Sequence, residues 1–436
     1  MRFITWSFRI AVGLLILVGL FWVWGMPKGD ALGTWQHEAD GTIIEIDRMQ
    51  ARLFHHSGAA CTLDSTFPAH FPLVAAAEGA HVTAEGDRLE LRLDSSIGSM
   101  IYSRIPALPE ACSAPADPSS AAILTHIWTV MEAHYPFFDL HGVDWDSRRP
   151  ALETGDLSDE DLFAAMRDMV VGLDDGHIQI IAGDLGYASP SIPPAWLDAA
   201  PDTREALNQV ARDNVGTPLD GAPRAPMEYG LRDDGIGYVL ITGMWTEPRV
   251  GQSELASSRN AFETVAAALS DARAIIVDVR YNPGGNDGTA LTYAGFFTDQ
   301  PMDVLTKRTR KGDGWTEPVA GVVSPIETEH RLTQPVILLT SKLTGSGAEI
   351  FTMAMRELPQ VTVMGEATGG GLSDILGITL ANGWLFGLSN QEYRAADGEV
   401  YEGRGVPPDV MFEIDGGDLS QGADPMLAAA IARALE

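Results

Sequence analysis

Residues 335–358 read PVILLTSKLTGSGAEIFTMAMREL, and this stretch decides the fold. Its first part, residues 336–340, is apolar and uncharged, which predicts a buried strand. Apolar side chains at helical spacing between Gly347 and Leu358 predict a helix. Ser346 stands where the turn gives way to the helix, so its hydroxyl lies beside N–H groups that have no partner within the helix.

Two interpretations of Ser346 follow from this position. A serine nucleophile needs a hydroxyl and nearby donors that stabilise the oxyanion of its tetrahedral intermediate. Ser346 and Glu349, three residues apart, also match a capping box, in which the serine serves only as the N-cap. Taken alone, the stretch favours the cap, so the choice between the two interpretations depends on the rest of the chain.

Length and charge bound the possible classes of protein. The chain has 436 residues, 45% of them hydrophobic, which predicts two or three domains. Lysines and arginines number 29 against 60 aspartates and glutamates, so the formal net charge is −31. This excess of negative charge disfavours nucleic acid and anionic membrane surfaces as partners.

The first 32 residues have the pattern of an export signal. Arg2 and Arg9 precede an uninterrupted apolar run, residues 10–24. The run is shorter than the roughly 20 residues that a membrane-spanning helix needs. We expect either a cleaved signal peptide or a membrane anchor through residues 10–26. In both cases the rest of the chain is expected to be periplasmic or extracellular.

The two cysteines, Cys61 and Cys112, fit an exported protein in two ways. They can pair as a disulfide, or they can remain two free buried thiols. They lack metal-ligand spacing, and no cluster of His, Cys, Asp and Glu in the sequence is typical of a zinc or calcium site. We therefore expect no metal and no organic cofactor.

Patterning divides the rest of the chain into four segments. Alternating runs within residues 33–113 predict a small β domain, and a Pro/Ala/Ser-rich linker follows it. Residues 121–187 are helical and end in a short strand, and residues 188–229 are predicted to be an inserted lid or arm. From residue 230 to 436 strands alternate with helices, which predicts a layered α/β core with parallel strands.

Two loops stand out as candidate functional loops. Residues 282–288, NPGGNDG, follow a buried strand and precede a helix. Both nucleotide-binding glycine motifs are absent, so an oxyanion donor is favoured over a phosphate cradle.

His177 lies at a helix-to-strand junction, where it is either a functional residue or an ordinary turn histidine. Asp278 and Arg280, below the glycine loop, are expected to form a buried pair.

Four ordered motifs resemble the C-terminal processing (tail-specific) peptidases. They are DVRYNPGG at 278–285, LTSKLTGSGAE at 339–349, GEATG at 365–369 and YEGRGVPPD at 401–409. LDDGH at 173–177 resembles the corresponding motif of the branch that includes the tricorn protease core. The resemblance implies a ClpP/crotonase-like α/β fold. It also implies a serine peptidase that cleaves peptides or unfolded proteins through an acyl-enzyme. No PDZ-like insert is recognised between residues 177 and 235.

The resemblance also implies roles for particular residues. Ser346 matches the nucleophile, His177 the general base and Glu402 the glutamate that completes the charge network. Main-chain N–H groups match the oxyanion hole, and the residues that carry them are Gly347 and either Gly284 or Gly285.

The sequence departs from the family pattern in two places. The lysine base of the Ser-Lys branch is expected after Thr368, where this chain has glycines at 369–371. The serine that precedes the tricorn-type histidine is Gly176 here, so Asp174, Asp175 or a water would have to support the relay. Ser341 is an alternative hydroxyl, but it lies on the strand side of the turn.

Two other functions stay open from the sequence. A retinoid-binding protein of the retina is similar to the same peptidase core, so a non-catalytic protein that binds hydrophobic ligands is one alternative. A scaffold in which Ser346 is only a helix cap is the other. Oligomeric state and natural substrate are left undetermined.

Overall fold

The computed structural model describes residues 29–58, 60–68, 79–150, 155–189, 193–249 and 251–436. Residues 1–28, on which most of the predicted signal or anchor falls, lie outside the described part. Within the described ranges, no helix is both long and apolar enough to cross a membrane.

The described elements are mixed along the chain. The strands are β1 Gly33–His37, β2 Thr42–Ile46, β3 Gln50–Ser57, β4 Ala60–Pro68, β5 Ala80–Glu85, β6 Arg88–Leu93, β7 Ser99–Ile105, β8 Gln179–Ala182, β9 Leu185–Ala188, β10 Asp220–Gly221, β11 Met227–Leu231, β12 Ile236–Ile241, β13 Ala274–Asp278, β14 Met302–Lys311, β15 Gly314–Trp315, β16 Val319–Val323, β17 Val336–Thr340, β18 Val361–Gly365, β19 Ile375–Thr379, β20 Leu385–Ser389, β21 Gln391–Ala395 and β22 Val410–Met411. The helices are α1 Ser120–His134, α2 Asp159–Val170, α3 Arg204–Asn214, α4 Glu254–Leu269, α5 Asp287–Ala294, α6 Gly347–Arg356, α7 Gly416–Ser420 and α8 Pro425–Ala434.

The N-terminal β domain is a seven-stranded antiparallel sheet with the order β4-β3-β2-β1-β7-β6-β5. Trp35, Leu89 and Tyr102 are buried together on one face. Cys61 on β4 and Cys112 form a disulfide, with their Cα atoms 4.9 Å apart. This bond joins an edge strand to the chain that leaves the sheet.

The helical subdomain follows its predicted start signals. The Ser158 hydroxyl accepts a hydrogen bond from the Asp161 N–H at 3.2 Å, which caps α2. Helices α1 and α2 pack on a four-stranded sheet with the order β19-β20-β8-β9. Because β19 and β20 come from the C-terminal part of the chain, this subdomain is built from two distant segments.

The core is a seven-stranded sheet with the order β10-β11-β12-β13-β17-β18-β22, in which the strands from β12 onward are parallel. All residues of β12, β13 and β17 are buried, as is typical of parallel strands covered on both faces. Helices α4, α5 and α6 cover one face and α8 covers the other. Strands β13 and β17 are neighbours, so the loops at their carboxyl ends lie side by side.

The segment predicted as a lid or arm is attached to this core over its described part. The indole N–H of Trp196 donates to Glu366 at 2.9 Å, and Arg204 donates to the Leu343 carbonyl at 2.7 Å. Strands β10 and β11 belong to the central sheet. The α/β core therefore begins about ten residues before the predicted boundary at 230.

A third sheet connects the core to the N-terminal domain and was not predicted. Strand β14 pairs with β15, β16 and β21. Its second half reads KRTRK, a charged run that is not typical of a strand, and β21 lies about eighty residues away in the sequence. Lys307 of β14 donates to the hydroxyl of Ser96 in the N-terminal domain at 3.0 Å.

Buried histidines lie between the first sheet and α1. The ring of His55 is 6.2 Å from that of His126 and 6.2 Å from that of His134. Burial lowers the pKa of His55 and of His126 to about 4, although the Asp40 carboxylate raises the pKa of His55 in part. Burial also lowers the pKa of His134. These rings are therefore neutral at neutral pH.

We predict that acid destabilises the fold through this histidine cluster. The unfolded chain takes up protons as pH falls below about 6.5, whereas the buried rings of His55 and His126 stay neutral until about pH 4. The free energy of unfolding should fall by roughly 3 kcal/mol per histidine across this window. Urea unfolding from pH 7 to pH 4 measures it. Between pH 7 and pH 4, the His55→Leu variant should lose less stability than the wild type loses. His330→Leu, outside the cluster, should show the same loss as the wild type. An equal pH slope in all three would contradict the prediction.

Candidate active site

Ser346 lies at the turn between β17 and α6 with an unusual backbone conformation. Its φ is 49° and its ψ is −125°. An N-cap serine ordinarily has an extended backbone, whereas a non-glycine residue at positive φ costs about 1–3 kcal/mol and is concentrated at functional sites. The conformation therefore argues against a simple capping role. The alternative hydroxyl, on Ser341, is fully buried and donates to the Arg280 carbonyl.

The buried carboxylate of Glu349 holds this turn in place. One oxygen accepts the N–H groups of Ser346 and Gly371, each at 2.9 Å. The other oxygen accepts the Thr368 hydroxyl at 2.6 Å and the Gly370 N–H at 2.7 Å. Burial raises the pKa of Glu349, and these donors lower it in part. The predicted glutamate of the capping box thus also ties Ser346 to the glycine loop 369–371.

The glycine loop after β13 packs directly against Ser346. A Cβ atom added to Gly284 would lie 2.6 Å from the Cβ of Ser346, and φ of Gly284 is 113°. The N–H of Gly284 donates to the side-chain oxygen of Asn282 at 2.8 Å. Because this N–H is already engaged within the loop, the structure favours Gly285 over Gly284 as the candidate oxyanion donor.

Gly285 and Gly347 remain as candidate donors. Gly285 forms a parallel bridge with Met244. The Met244 N–H donates to the Gly284 carbonyl, and the Met244 carbonyl accepts the Asn286 N–H. The N–H of Gly285 therefore points away from Met244. A Cβ added to Gly347 would lie 3.1 Å from the nitrogen of Gly285, so the two backbones are in contact.

His177 faces the same cavity as Ser346. Together with Gly345 and Gly371 they line a cavity of about 1000 Å³. Gly371 connects the two sides, because its carbonyl accepts the Ser346 N–H at 3.0 Å and its α-carbon faces the His177 ring. Nδ1 of His177 is buried and has no hydrogen-bond partner among the described residues. Burial lowers the pKa of His177, and the charges of Asp175 and Asp374 raise it in part.

Glu402 lies in the cavity wall. Among the described residues, no hydrogen bond or ion pair joins it to His177. Its carboxylate accepts the N–H groups of Leu372 at 3.0 Å and Ser373 at 3.2 Å. Burial raises its pKa well above the usual range, and the negative charges of Asp175 and Glu349 add to this effect. The Glu402 carboxylate therefore binds the main chain of residues 372–373, and its part in a charge network with His177 stays a prediction.

The two aspartates before His177 have different environments. Asp175 is buried, and its Oδ1 accepts the His177 N–H at 2.9 Å and the Ser389 hydroxyl at 3.1 Å. Asp174 is exposed and has a φ of 44°. Of the two, Asp175 has the contacts that a supporting residue needs.

Sequence reasoning missed three charged residues of the cavity. Arg204, Lys342 and Asp374 all line it. The ammonium group of Lys342 donates to the Gly369 carbonyl at 3.1 Å. Lys342 lies within the motif at 339–349 and Asp374 lies five residues after the motif at 365–369, whereas no sequence signal marked Arg204. Among the described residues, no group of three or more His, Cys, Asp or Glu side chains could hold a metal ion.

Comparison with known proteins agrees with this architecture. The model of peptidase family S41 matches residues 235–412. These residues form a peptidase family S41 domain. The match includes Ser346 and Glu402 but not His177, which is contributed by the helical subdomain that precedes the S41 domain.

Similar proteins include proteases of both branches. The chain is 26% identical over 210 residues to the carboxy-terminal processing protease CtpA of Bacillus subtilis, covering 48% of this chain and 42% of that protein. It is 30% identical over 207 residues to the tricorn protease of Thermoplasma acidophilum, covering 46% of this chain and 17% of that protein. The chain thus spans less than half the length of these relatives.

Solved structures extend the likeness beyond the S41 domain. A candidate peptidase from Parabacteroides merdae aligns with a TM-score of 0.61 and 28% identity, covering 73% of this chain and 98% of that one. Mature CPAF aligns with a TM-score of 0.54 at 11% identity, covering 73% of this chain and 97% of that one, which shows a shared fold.

We predict that Glu349→Gln destabilises the protein by roughly 3 kcal/mol. An amide has one acceptor oxygen, so at least one of the buried N–H groups that Glu349 now accepts would lose its partner. Urea unfolding measures the loss. Glu357→Gln makes the same change at the end of the same helix, outside this cluster, and should leave stability within about 0.5 kcal/mol of the wild type. Equal effects of the two substitutions would show that the hydrogen bonds to the Glu349 carboxylate contribute nothing to stability.

Proposed function

We propose that the chain is a serine peptidase that hydrolyses peptide bonds through an acyl-enzyme on Ser346. The observation that carries the proposal is the positive φ of Ser346 at a strand-to-helix turn, facing a cavity that it shares with His177, whose buried Nδ1 atom has no hydrogen-bond partner among the described residues. A strained serine beside a neutral imidazole is an arrangement that nucleophilic catalysis uses. The S41 domain and the protease relatives support the same reaction.

The reaction begins with proton transfer from the Ser346 hydroxyl to a ring nitrogen of His177. The serine oxygen attacks the carbonyl carbon of the scissile bond, and the carbonyl oxygen becomes an oxyanion. The N–H groups of Gly285 and Gly347 stabilise this charge, since a preorganised donor lowers the barrier by about 3–4 kcal/mol. Collapse of the intermediate breaks the C–N bond, and the imidazolium gives its proton to the leaving amine. Water, activated by the same histidine, then hydrolyses the ester.

Negative charges around His177 stabilise the imidazolium that forms during each step. Asp175 and Asp374 both favour the protonated ring, and Asp175 also holds the backbone at His177. Glu402 acts as a positioning residue for the segment 372–373, whose N–H groups its carboxylate accepts. In this arrangement Asp175 takes the place that Gly176 cannot fill.

The proposal includes export of the chain. The apolar run at 10–24, preceded by two arginines, has the pattern of an export signal. The disulfide between Cys61 and Cys112 fits an oxidising compartment. Peptides or unfolded proteins are the proposed substrates.

Replacing Ser346 or His177 by alanine should reduce kcat/KM on unfolded casein by at least about a thousandfold. The physical reason is that each change removes the nucleophile or its base. Cleavage is followed by mass spectrometry, and melting temperatures show that both variants stay folded.

Ser341→Ala is the matched control for these changes. It removes a buried hydrogen bond, so it should lower stability by about 1 kcal/mol or more and leave cleavage intact. If Ser346→Ala instead keeps full cleavage and loses only about 1 kcal/mol of stability, Ser346 is a helix cap. If neither the wild type nor any variant cleaves, and the wild type binds a fluorescent fatty acid saturably, the ligand-binding alternative is preferred.

The pH dependence of kcat/KM tests the environment of the base. His177 must be neutral to accept the serine proton, and burial lowers its pKa below the ordinary value of 6.5. Activity should therefore persist below pH 6.5. Asp374→Asn removes a charge that raises this pKa, so its acid limb should move to still lower pH. Asp198→Asn, on the exposed side of the arm, should not move it. An acid limb that shifts upward in Asp374→Asn would contradict the assignment.

A further inference from the structure

A second cavity adjoins the first and lies between the N-terminal β domain and the sheet of β14 and β16. Its volume is about 890 Å³. It shares four lining residues with the catalytic cavity, namely Gly285, Asn286, Asp374 and Ile375. The two cavities are therefore continuous, and the shared residues form a junction that begins at the glycine loop beside Ser346.

The walls of the second cavity are fixed in position. Lys307 is only 7% exposed and pairs with Asp374 at 2.6 Å, while donating to the Ser96 hydroxyl of the β domain. The N–H of Gly288, at the start of α5, donates to the Ser95 carbonyl at 2.9 Å. The N-terminal domain is thus held against the same loop that carries the proposed oxyanion donor.

The second cavity is lined by charged side chains, such as Lys311 and Glu317, and by apolar side chains, some of which are open to solvent. Val319 of β16 is 41% exposed and Ile375 of β19 is 47% exposed. Leu53 of β3 lines the opposite wall and is half-buried. Strand β19 pairs with β20, and at its far end the Thr379 hydroxyl donates to Asp64 of β4 at 2.7 Å, which ties this wall to the N-terminal domain. Exposed apolar groups along a continuous cavity are what the apolar side chains of an extended peptide contact.

We propose that the second cavity binds the part of an extended substrate that runs past the junction, and that it selects apolar side chains there. This inference rests on the proposed peptidase function. A compact cavity of about 1000 Å³ is about 10 Å across, which accommodates about three residues of extended chain at about 3.3 Å each. The two cavities together hold about six residues, so affinity rises with peptide length until about that number.

The walls offer matched variants for a binding test. Val319 and Val322 lie on the same strand with 41% and 38% exposure, but only Val319 lines the cavity. Leu53 lines the opposite wall, and Leu63 on the neighbouring strand β4 does not. Aspartate at Val319 or Leu53 places a charge in the cavity, whereas aspartate at Val322 or Leu63 does not.

The experiment measures binding in a Ser346→Ala background, so no probe is consumed. The probes are fluorescein-labelled peptides of alternating leucine and serine, one of about four residues and one of about ten. The long probe should bind more tightly than the short one. Val319→Asp and Leu53→Asp should weaken the long probe by at least about tenfold and leave the short one unchanged. Val322→Asp and Leu63→Asp should match the parent, and melting temperatures exclude misfolding.

Equal binding of both probes, binding of neither, or equal effects of the cavity and control variants overturns the inference. Cleavage is measured separately with the Ser346-containing protein. If that protein cleaves casein while the binding pattern is absent, the inference fails and the peptidase function stands. If it cleaves nothing while the binding pattern is present, the peptidase function fails and the second cavity remains a peptide-binding site.

Discussion

The structure of the site depends on the buried carboxylate of Glu349. Four donors from two segments, the turn at Ser346 and the loop 368–371, converge on its two oxygens. A buried charge is costly unless it is fully hydrogen-bonded, so the segments cannot separate without leaving that charge unpaired. The hydrogen bond from Ser346 to Glu349 offsets part of the strain of the positive φ at the serine. A residue that looks like one half of a helix cap therefore determines where the hydroxyl points.

The glycine loop beside Ser346 is positioned from below by a second buried network. Arg280 is fully buried between Asp278 and Asp424, with 2.7 Å contacts to both. The sequence predicted the pairing of Asp278 and Arg280, and it is confirmed. Asp424 was not foreseen because it lies almost 150 residues away, at the N-cap of α8. Since Arg280 lies two residues past the end of β13, this ion pair fixes the position at which the loop leaves the sheet.

Local patterns predicted the elements that are encoded locally. Strand β17 and helix α6 lie where the apolar run at 336–340 and the helical spacing after Gly347 indicated them, and α1 and α2 lie within the segment predicted to be helical. The mixed α/β class is confirmed. Strand β14 was missed because its pairing is non-local and its second half is charged. The involvement of Gly284 with Asn282 could not be foreseen either, because the motif gives the type of residue and not the partner of each N–H group.

The same limit applies to Glu402, for which the motif gives a position along the chain but not the groups that surround its carboxylate. A motif preserves a position along the chain, whereas the charge that His177 experiences depends on every carboxylate that packing brings near it. Here these are Asp175, two residues away, and Asp374, nearly two hundred residues away. Asp374 is in turn neutralised by Lys307, which also contacts the N-terminal domain. His177 and Asp175 precede residues 235–412, whereas Asp374 and Lys307 lie within them. The electrostatics of the site is therefore a property of the assembled chain and not of the S41 domain alone.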